Sequence, residues 1–277
     1  MKALILLLSL LPTMALAKAE SNYTLTPVAG QHEITPDLGF SAGLIEYENN
    51  QGKIEATGRQ AGLKYYYGIS DAISIGAEIA HATNRAETTG PTILASTSTG
   101  KGLLDPIIRL KGNLELNDLS LFYSAGYIPS VVDAKYNSDV NEYSQADGQN
   151  SYVLQAGVAM PLSEQTLGAF LEYQKNLKGT EKYTSNGVTI DRDVKESSSH
   201  ILKIYMEFQK EFHLTGAFIH QRYSNLYYGL EFNARFPVAE HLEVIPQLTS
   251  IVPAHKDEFN AKTFNIALLS VSLRLTF

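Results

Sequence analysis

The 277-residue sequence contains no cysteine and no tryptophan. Without cysteine the chain has no disulfides, no thiolate metal ligands and no cysteine to which a lipid anchor could be attached. Without tryptophan, any aromatic belt at a membrane surface must be built from the 16 Tyr and 11 Phe residues. Positive charge is also scarce, because 22 Lys and Arg stand against 29 Asp and Glu, a formal net charge of -7. This balance argues against nucleic-acid binding, since nucleic-acid binders carry basic surfaces.

Long apolar segments are missing after the first residues. Met1-Lys2, an apolar run over residues 3–11 and the small-residue pattern Ala15-Leu16-Ala17 predict a secretory signal peptide over residues 1–17. The apolar run is too short to cross a bilayer as a helix. Residues 18–36 have no period, and we interpret them as a periplasmic lead-in segment or plug. Residues 37–277 are the predicted structural domain.

The segment from Asn265 to Phe277 alternates apolar and polar side chains, with the period of two that is typical of a β-strand. Its apolar row ends on Phe277. This ending resembles the last strand of outer-membrane β-barrels, whose terminal aromatic residue the barrel assembly machinery reads. The resemblance implies that Phe277 is an assembly signal and that this machinery is a partner. An ordinary strand of a soluble β-sandwich is the alternative.

Eleven further segments show the same alternation, and their connections follow a rule. The connections after even-numbered strands are short, whereas those after the third, fifth and seventh strands, at residues 83–103, 130–150 and 176–198, are long and polar. Up-and-down membrane barrels place short turns in the periplasm and long loops outside the cell. The predicted strands are residues 37–47, 53–67, 72–82, 105–116, 119–129, 151–161, 166–175, 199–209, 213–222, 227–236, 242–252 and 265–277.

These segments predict an all-β fold, a transmembrane antiparallel up-and-down barrel of about 12 strands in the outer membrane. A closed sheet leaves no unpaired backbone groups in the lipid, where each would cost several kcal/mol. Pro246 conflicts with this prediction because it removes a hydrogen-bond donor inside the eleventh strand. Either that strand contains a bulge or its boundary differs, and ten or fourteen strands remain alternatives.

If the apolar rows face lipid, the opposite rows line the bore and contain both signs of charge. One interpretation is a polar pore whose charges contact a permeant. The other is a set of ion pairs that fills a narrow barrel. Three inward aromatic side chains could contact an apolar permeant or simply fill space. The predicted bore residues are Lys64, Tyr66, Glu78, Arg109, Lys111, Glu115, Phe170, Glu172, Lys203, Tyr205, Glu207, Glu231, Arg235 and Arg274.

Outward-facing aromatic residues are candidates for belts at the two membrane surfaces. They are Tyr65, Tyr67, Phe208, Phe212, Tyr228, Phe232, Phe236 and Phe277.

The run from His220 to Asn225 is a candidate catalytic site, because outer-membrane phospholipase A is a twelve-stranded barrel that uses Ser, His and Asn. His220 and Ser224 would lie about 13 Å apart along an extended strand, too far for a nucleophile and its base. The remaining histidines are scattered, so we expect no enzyme, no metal site and no cofactor.

Residues 101–161 resemble the family of outer-membrane components assigned to the meta-pathway of phenol degradation. The matching motifs are Lys101-Gly102-Leu103-Leu104-Asp105-Pro106, Tyr127-Ile128-Pro129-Ser130 and the Gly148–Tyr152 segment. Leu104 stands where the family has a second glycine, and Ser130-Val131 replaces Thr-Gly. The resemblance implies a barrel that passes small aromatic or hydrophobic compounds.

The sequence therefore predicts a monomeric outer-membrane channel for passive uptake of small hydrophobic or aromatic molecules, with membrane lipids as partners and no nucleic acid. The alternatives are a plugged structural or surface-interaction barrel and, more remotely, a lipid hydrolase.

Overall fold

The computed structural model describes Tyr23 and residues 26–91, 95–116, 119–162, 164–209, 213–222, 225–255 and 261–277. The predicted signal peptide, the turns at 117–118 and 210–212, Phe212 and Ser224 lie outside the described residues. The strands in this part of the chain are β1 (His32–Tyr47), β2 (Lys53–Ser70), β3 (Ile73–Thr89), β4 (Ser96–Leu103), β5 (Ile107–Leu116), β6 (Leu119–Ile128), β7 (Lys135–Asn137), β8 (Glu142–Tyr143), β9 (Ser151–Leu162), β10 (Gln165–Asn176), β11 (Gly179–Ser185), β12 (Val188–Val194), β13 (Ser197–Gln209), β14 (His213–Arg222), β15 (Leu226–Ala239), β16 (Leu242–Pro253) and β17 (Ala261–Thr276). A single 3-10 turn, Glu48–Asn50, follows β1.

Twelve of these strands form a closed barrel, as the sequence predicts. Each of β1, β2, β3, β5, β6, β9, β10, β13, β14, β15, β16 and β17 pairs antiparallel with the next, and β17 pairs with β1 along nearly its whole length. Closure leaves no strand edge in the wall. The turns after β2, β5, β9, β13 and β15 are short and lie at one end of the barrel, here the turn end. The long connections lie at the other, here the loop end, together with shorter ones after β1, β14 and β16. Within the described residues, no helix has the length and apolarity to cross a bilayer.

The side-chain pattern of the wall is the reverse of that in a soluble protein. Apolar side chains of the outward rows are exposed, as in Leu63 and Leu230, at 43% and 53%. Side chains of the inward rows are buried, including Tyr66, Glu207 and Thr215 at 0%. The buried side chains of this molecule therefore lie in the bore, and its apolar surface is the outside of the wall.

The first barrel strand begins at His32, so the boundary predicted between residues 36 and 37 is too late. β1 pairs with β2 through Pro36, opposite Leu63, without interruption. Its ladder to β17 skips Thr35 and Pro36 and resumes at Asp37. Proline has no N–H to donate, and the ladder tolerates it here because only one of the two neighbouring strands loses the bond.

The three long connections contain strands that the sequence does not reveal. β3 continues to Thr89 and pairs with β4, while β8, β7, β11 and β12 complete an extension of the sheet beyond the barrel. This loop-end sheet has the order β4-β8-β7-β11-β12. Its strands are rich in Ser, Thr and charged residues, because both faces meet water and alternation is not required.

Pro246 lies inside β16 without a bulge. It pairs in register with Val271 of β17. On the other side, the ladder to β15 has no pairs between Asn233–Gln247 and Phe236–Val244, although the register is kept. The missing N–H of Pro246 therefore coincides with a short gap in the ladder between β16 and β15. The register shift between these two strands occurs elsewhere, after Pro237.

Candidate permeation path

Charged side chains near the turn end are paired across neighbouring strands. Arg274 places Nε 2.8 Å from a Glu33 oxygen and Nη1 2.9 Å from Glu243. Arg235 lies 3.8 Å from the same Glu243 and contacts the ring of His213. Each pair joins adjacent strands, so these side chains form a continuous row of polar contacts around half of the bore. This turn-end network is Glu33, Arg274, Glu243, Arg235, His213 and Glu207, from β1, β17, β16, β15, β14 and β13; its last contact is 2.8 Å between His213 and Glu207.

The opposite wall holds a second group of paired charges. The Tyr66 hydroxyl donates a hydrogen bond to Glu78, and Arg109 Nε lies 3.2 Å from the same carboxylate. The Lys111 ammonium lies 3.6 Å above the Tyr66 ring. Arg109 also donates to Ser124 at 3.2 Å. These charges are held against the wall by each other, which supports the ion-pair interpretation for this half of the bore.

Tyr23, from the lead-in segment, lies inside the barrel. Its ring packs against Phe170 and Tyr205, with centroids 5.1 and 4.6 Å away. Its hydroxyl donates to Glu231 of β15 at 2.5 Å, three strands along the wall from β10. Lys203 completes the group, 2.9 Å from Glu231 and above the Tyr23 ring at 5.3 Å. We call these five residues the Tyr23 contact; it joins β10 and β13 to β15 along one side of the bore.

On the loop side of the Tyr23 contact, the bore holds two cavities of about 260 and 450 Å³. They share Asp37, Gln60, Leu104 and Gln145, so they adjoin. Their linings are rich in amides and contain none of the turn-end network. Five other charged residues line the smaller cavity: Asp37, Lys64, Glu78, Asp105 and Asp147. The amide side chains are Gln60, Asn84, Gln145, Gln174 and Gln247.

The loop between β6 and β9 folds into this end of the barrel. Asn84 on β3 donates to Gln145 of the loop at 3.1 Å. Gln149, 4% exposed, donates to two carbonyl oxygens of the next long loop, those of Leu177 and Lys195, at 2.6 and 2.9 Å. The mouth is therefore narrowed by a loop that is clamped to both the wall and its neighbour.

On the turn side of the Tyr23 contact lies a cavity of about 540 Å³. Arg235, Glu243 and Arg274 line it, as do Thr26 and Val28 of the lead-in segment. Along β15, Glu231 is opposite Thr249 and Arg235 comes four residues closer to the turn end. The Tyr23 contact therefore lies between the two sets of cavities.

All the predicted bore residues lie on the inward rows, and a role in contacting a permeant stays a prediction for each. Among the predicted bore residues, Lys203 pairs with Glu231. Tyr66, Glu78, Arg109 and Lys111 contact one another on the opposite wall, as described above. Lys64 is only loosely paired, 3.9 Å from Asp37. Glu115, at the turn end, accepts a hydrogen bond from Ser120. Glu172 forms no ion pair with any cation in the described part of the chain.

Several residues of the path are missed by sequence reasoning. Glu33 falls in the predicted lead-in segment, although it has the same inward parity as Asp37 once β1 begins at His32. Tyr23 gives no signal, because its segment has no period. Glu243 is on the inward row of β16 and was overlooked there. Among the described residues, no group of three His, Asp or Glu is placed to hold a metal.

The outward aromatic residues do not form one belt. Tyr65, Tyr67 and Phe277 surround His32 at the turn end, where Phe277 stacks on the His32 ring at 5.5 Å. Tyr228 belongs instead to the loop end, where it contacts His220. Phe208 and Phe236 are exposed near the turn end, whereas Phe232 lies farther along its strand.

Comparison with known proteins gives one family and a set of similar folds. The family described as outer membrane protein beta-barrel domain matches residues 3–194. The COG4313 outer membrane channel from Pseudomonas putida F1 superposes with a TM-score of 0.63 at 11% identity, over 93% of this chain and 99% of that one. The autotransporter transport unit AIDA-I from Escherichia coli gives 0.55 at 12% identity, over 93% of each chain. The NalP translocator domain from Neisseria meningitidis gives 0.54 at 9% identity, over 92% and 90%. No curated protein matches the sequence.

Proposed function

This chain belongs to the family of outer membrane proteins with a β-barrel domain, and we propose that it is a passive channel for small hydrophobic or aromatic molecules. The observation that carries the proposal is that cavities follow one another along the bore. Cavities on both sides of the Tyr23 contact lie in one closed barrel of the outer membrane.

The contact that separates the cavities is held from the loop side. Gln247 and Thr249 line the 450 Å³ cavity and donate to the Glu231 oxygen at 2.9 and 3.2 Å. Glu231 in turn accepts the Tyr23 hydroxyl. A solute in this cavity therefore lies next to the group that fixes Tyr23, and moving Tyr23 joins the cavities into one path.

The chemistry around Tyr23 favours a ring-shaped permeant. Its ring occupies a place between Phe170 and Tyr205, with the Lys203 cation above, and such surroundings attract aromatic faces. A small aromatic molecule can take the same contacts when Tyr23 leaves. The cavities have the volume of small-ligand sites rather than of a wide aqueous pore.

Planar-bilayer recording with the refolded protein tests the proposal. We expect low conductance from the unchanged protein and a higher conductance from the Tyr23→Ala variant, because the side chain that lies between the cavities is gone. Uptake of a labelled monocyclic aromatic compound into porin-deficient Gram-negative cells should rise on expression of the unchanged protein.

The matched control is Tyr183→Ala, which removes the same side chain from the loop-end sheet. Conductance of this variant should equal that of the unchanged protein. The channel proposal is wrong if Tyr23→Ala conducts no more than the unchanged protein and expression adds nothing to aromatic uptake.

The second candidate is a plugged surface-interaction barrel, and the loop-end sheet favours it. This sheet projects strands beyond the barrel, and the apolar side chains of Val188 and Ile190 on β12 are exposed there. Deletion of residues 179–194 should leave aromatic uptake intact under the channel proposal and abolish contact with other cells or proteins under the surface proposal. The hydrolase alternative would require phospholipase activity that Ser224→Ala abolishes.

A further inference from the structure

Four basic side chains lie together on the outward surface of the barrel near the loop end. His200 on β13 is opposite Tyr173 of β10 on one side and Arg222 of β14 on the other. The His200 ring stacks on that of His220, with centroids 6.2 Å apart. Lys175 lies two residues beyond Tyr173 on the same outward row. The basic rim cluster is Lys175, His200, His220 and Arg222.

The surface below this cluster is free of charge down to the turn end. The outward rows of β10, β13 and β14 contain neither acidic nor basic residues there, and the turn-end rim of these strands carries Gln165, Phe208 and Leu214. The remaining outward residues are Leu167, Ala169, Leu171, Leu202, Ile204, Met206, Gly216 and Phe218. On the outward rows of these strands, basic residues therefore occur at only one of the two membrane surfaces.

This position is where lipid head groups lie, because the apolar rows of the wall match the hydrocarbon and the first polar side chains mark its edge. Basic side chains at that edge attract anionic lipids. Arginine is suited to phosphate by its planar fork, and imidazole and tyrosine hydroxyl groups donate hydrogen bonds to the same oxygens. Tyr173 and Tyr228, each exposed, flank the histidines and supply such hydroxyls.

The basic rim cluster has more positive charge than its acidic neighbours neutralise, so it can bind an anion. Lys175 lies 3.3 Å from Glu196, which neutralises one cation in part. Arg222 forms no ion pair with any carboxylate of the described residues and is exposed. His200 and His220 face each other rather than an acid. The cluster thus has cationic and hydrogen-bonding groups but lacks a matching carboxylate for Arg222.

We propose that the basic rim cluster binds the phosphate head group of an anionic lipid of the outer leaflet, whose acyl chains lie on the apolar rows below. Arg222 and Lys175 provide the charge, and His200, His220 and the two tyrosines hold the phosphate oxygens. The site is on the outside of the wall and does not depend on passage through the bore.

Native mass spectrometry of the refolded protein in neutral detergent, with phosphatidic acid and phosphatidylcholine supplied together, tests the site. We expect retention of phosphatidic acid in preference to phosphatidylcholine. Arg222→Leu should weaken phosphatidic acid binding about fivefold, because one basic residue near a membrane surface contributes about 1 kcal/mol. His200→Leu should also weaken binding, and Arg222→Lys should keep more of it than Arg222→Leu.

The matched control is Arg192→Leu, which removes an exposed arginine from β12 of the loop-end sheet and should leave lipid retention unchanged. A heat-modifiability gel verifies that each variant forms the barrel, which is expected because the altered side chains point away from the bore. The proposal is overturned if Arg222→Leu retains phosphatidic acid as the unchanged protein does, or if both lipids are retained equally. It is also overturned if millimolar inorganic phosphate displaces the lipid completely, since the site would then take free phosphate.

Discussion

The two halves of the bore are lined by the same inward rows but use them differently. On β2, Tyr66 near the turn end is fully buried, whereas Gln60, farther towards the loop end, borders open space. Near the turn end, the charges pair with one another around the wall and border a cavity of about 540 Å³. Near the loop end, amide side chains border the cavities together with more loosely paired charges such as Lys64 and Asp37. An inward charge therefore does not by itself indicate a wet pore, because in half of this barrel the charges are structural.

The largest effect should follow from breaking the turn-end network at Arg274. Arg274→Met leaves Glu33 and Glu243 without their main partner, and an uncompensated buried charge costs about 3 kcal/mol or more. The free energy of unfolding in urea, measured with the protein in lipid vesicles, should fall by about that amount. Adding Glu33→Gln and Glu243→Gln to Arg274→Met should restore much of the lost free energy of unfolding, because no carboxylate is then left without its partner. An unchanged free energy in Arg274→Met would show that the network does not hold this half together.

A smaller effect is expected at Gly148, in the loop that narrows the loop-end half. Its φ is +70°, and an added Cβ would contact the Thr180 carbonyl. Gly148→Val should cost about 2 kcal/mol locally and release the loop, because a β-branched residue is strained in that conformation. Limited proteolysis should then cut within residues 129–150, while the barrel remains intact. Gly187→Val, at a hairpin tip with open space around its Cβ, is the control for backbone strain alone.

At Asn84, we expect an effect of about 1 kcal/mol or less on stability, because its bond to Gln145 is a neutral hydrogen bond next to an open cavity. Asn84→Ala should nevertheless change the rate of aromatic uptake, since the side chain borders the path. A loss of stability as large as that of Arg274→Met would mean that the loop-end half is packed as tightly as the other.

The smallest effect should come from Lys64→Met, which makes the same kind of change as Arg274→Met. Lys64 is 40% exposed and 3.9 Å from Asp37, so the pair is solvated and contributes less than about 1 kcal/mol. The two variants measured side by side by urea unfolding give the contrast between the halves directly. Equal losses would contradict it.

The barrel itself is predictable from the sequence, because lipid outside and side chains inside require strict alternation in segments such as β5 and β17. The short turns after even-numbered strands and the long polar loops predict the up-and-down topology. The strands of the loop-end sheet are not predictable, since water covers both faces and Ser or Thr at successive positions leaves no period. The position of Tyr23 also leaves no trace in the sequence, because it depends on how a segment without regular structure meets Phe170, Tyr205 and Glu231. Finally, parity identifies which charges face inward but not which of them pair.

The most direct test of a path blocked by the Tyr23 contact uses the absence of native cysteine. Single variants Asn84→Cys, on the loop side, and Asn233→Cys, whose native amide donates to Tyr23, are exposed to a membrane-impermeant thiol reagent from the loop end. We predict rapid modification of the Asn84→Cys variant and slow modification of the Asn233→Cys variant, with the slow rate rising when Tyr23→Ala is added. Equal rates at the two positions in the presence of Tyr23, or an Asn233→Cys rate that Tyr23→Ala leaves unchanged, would contradict it.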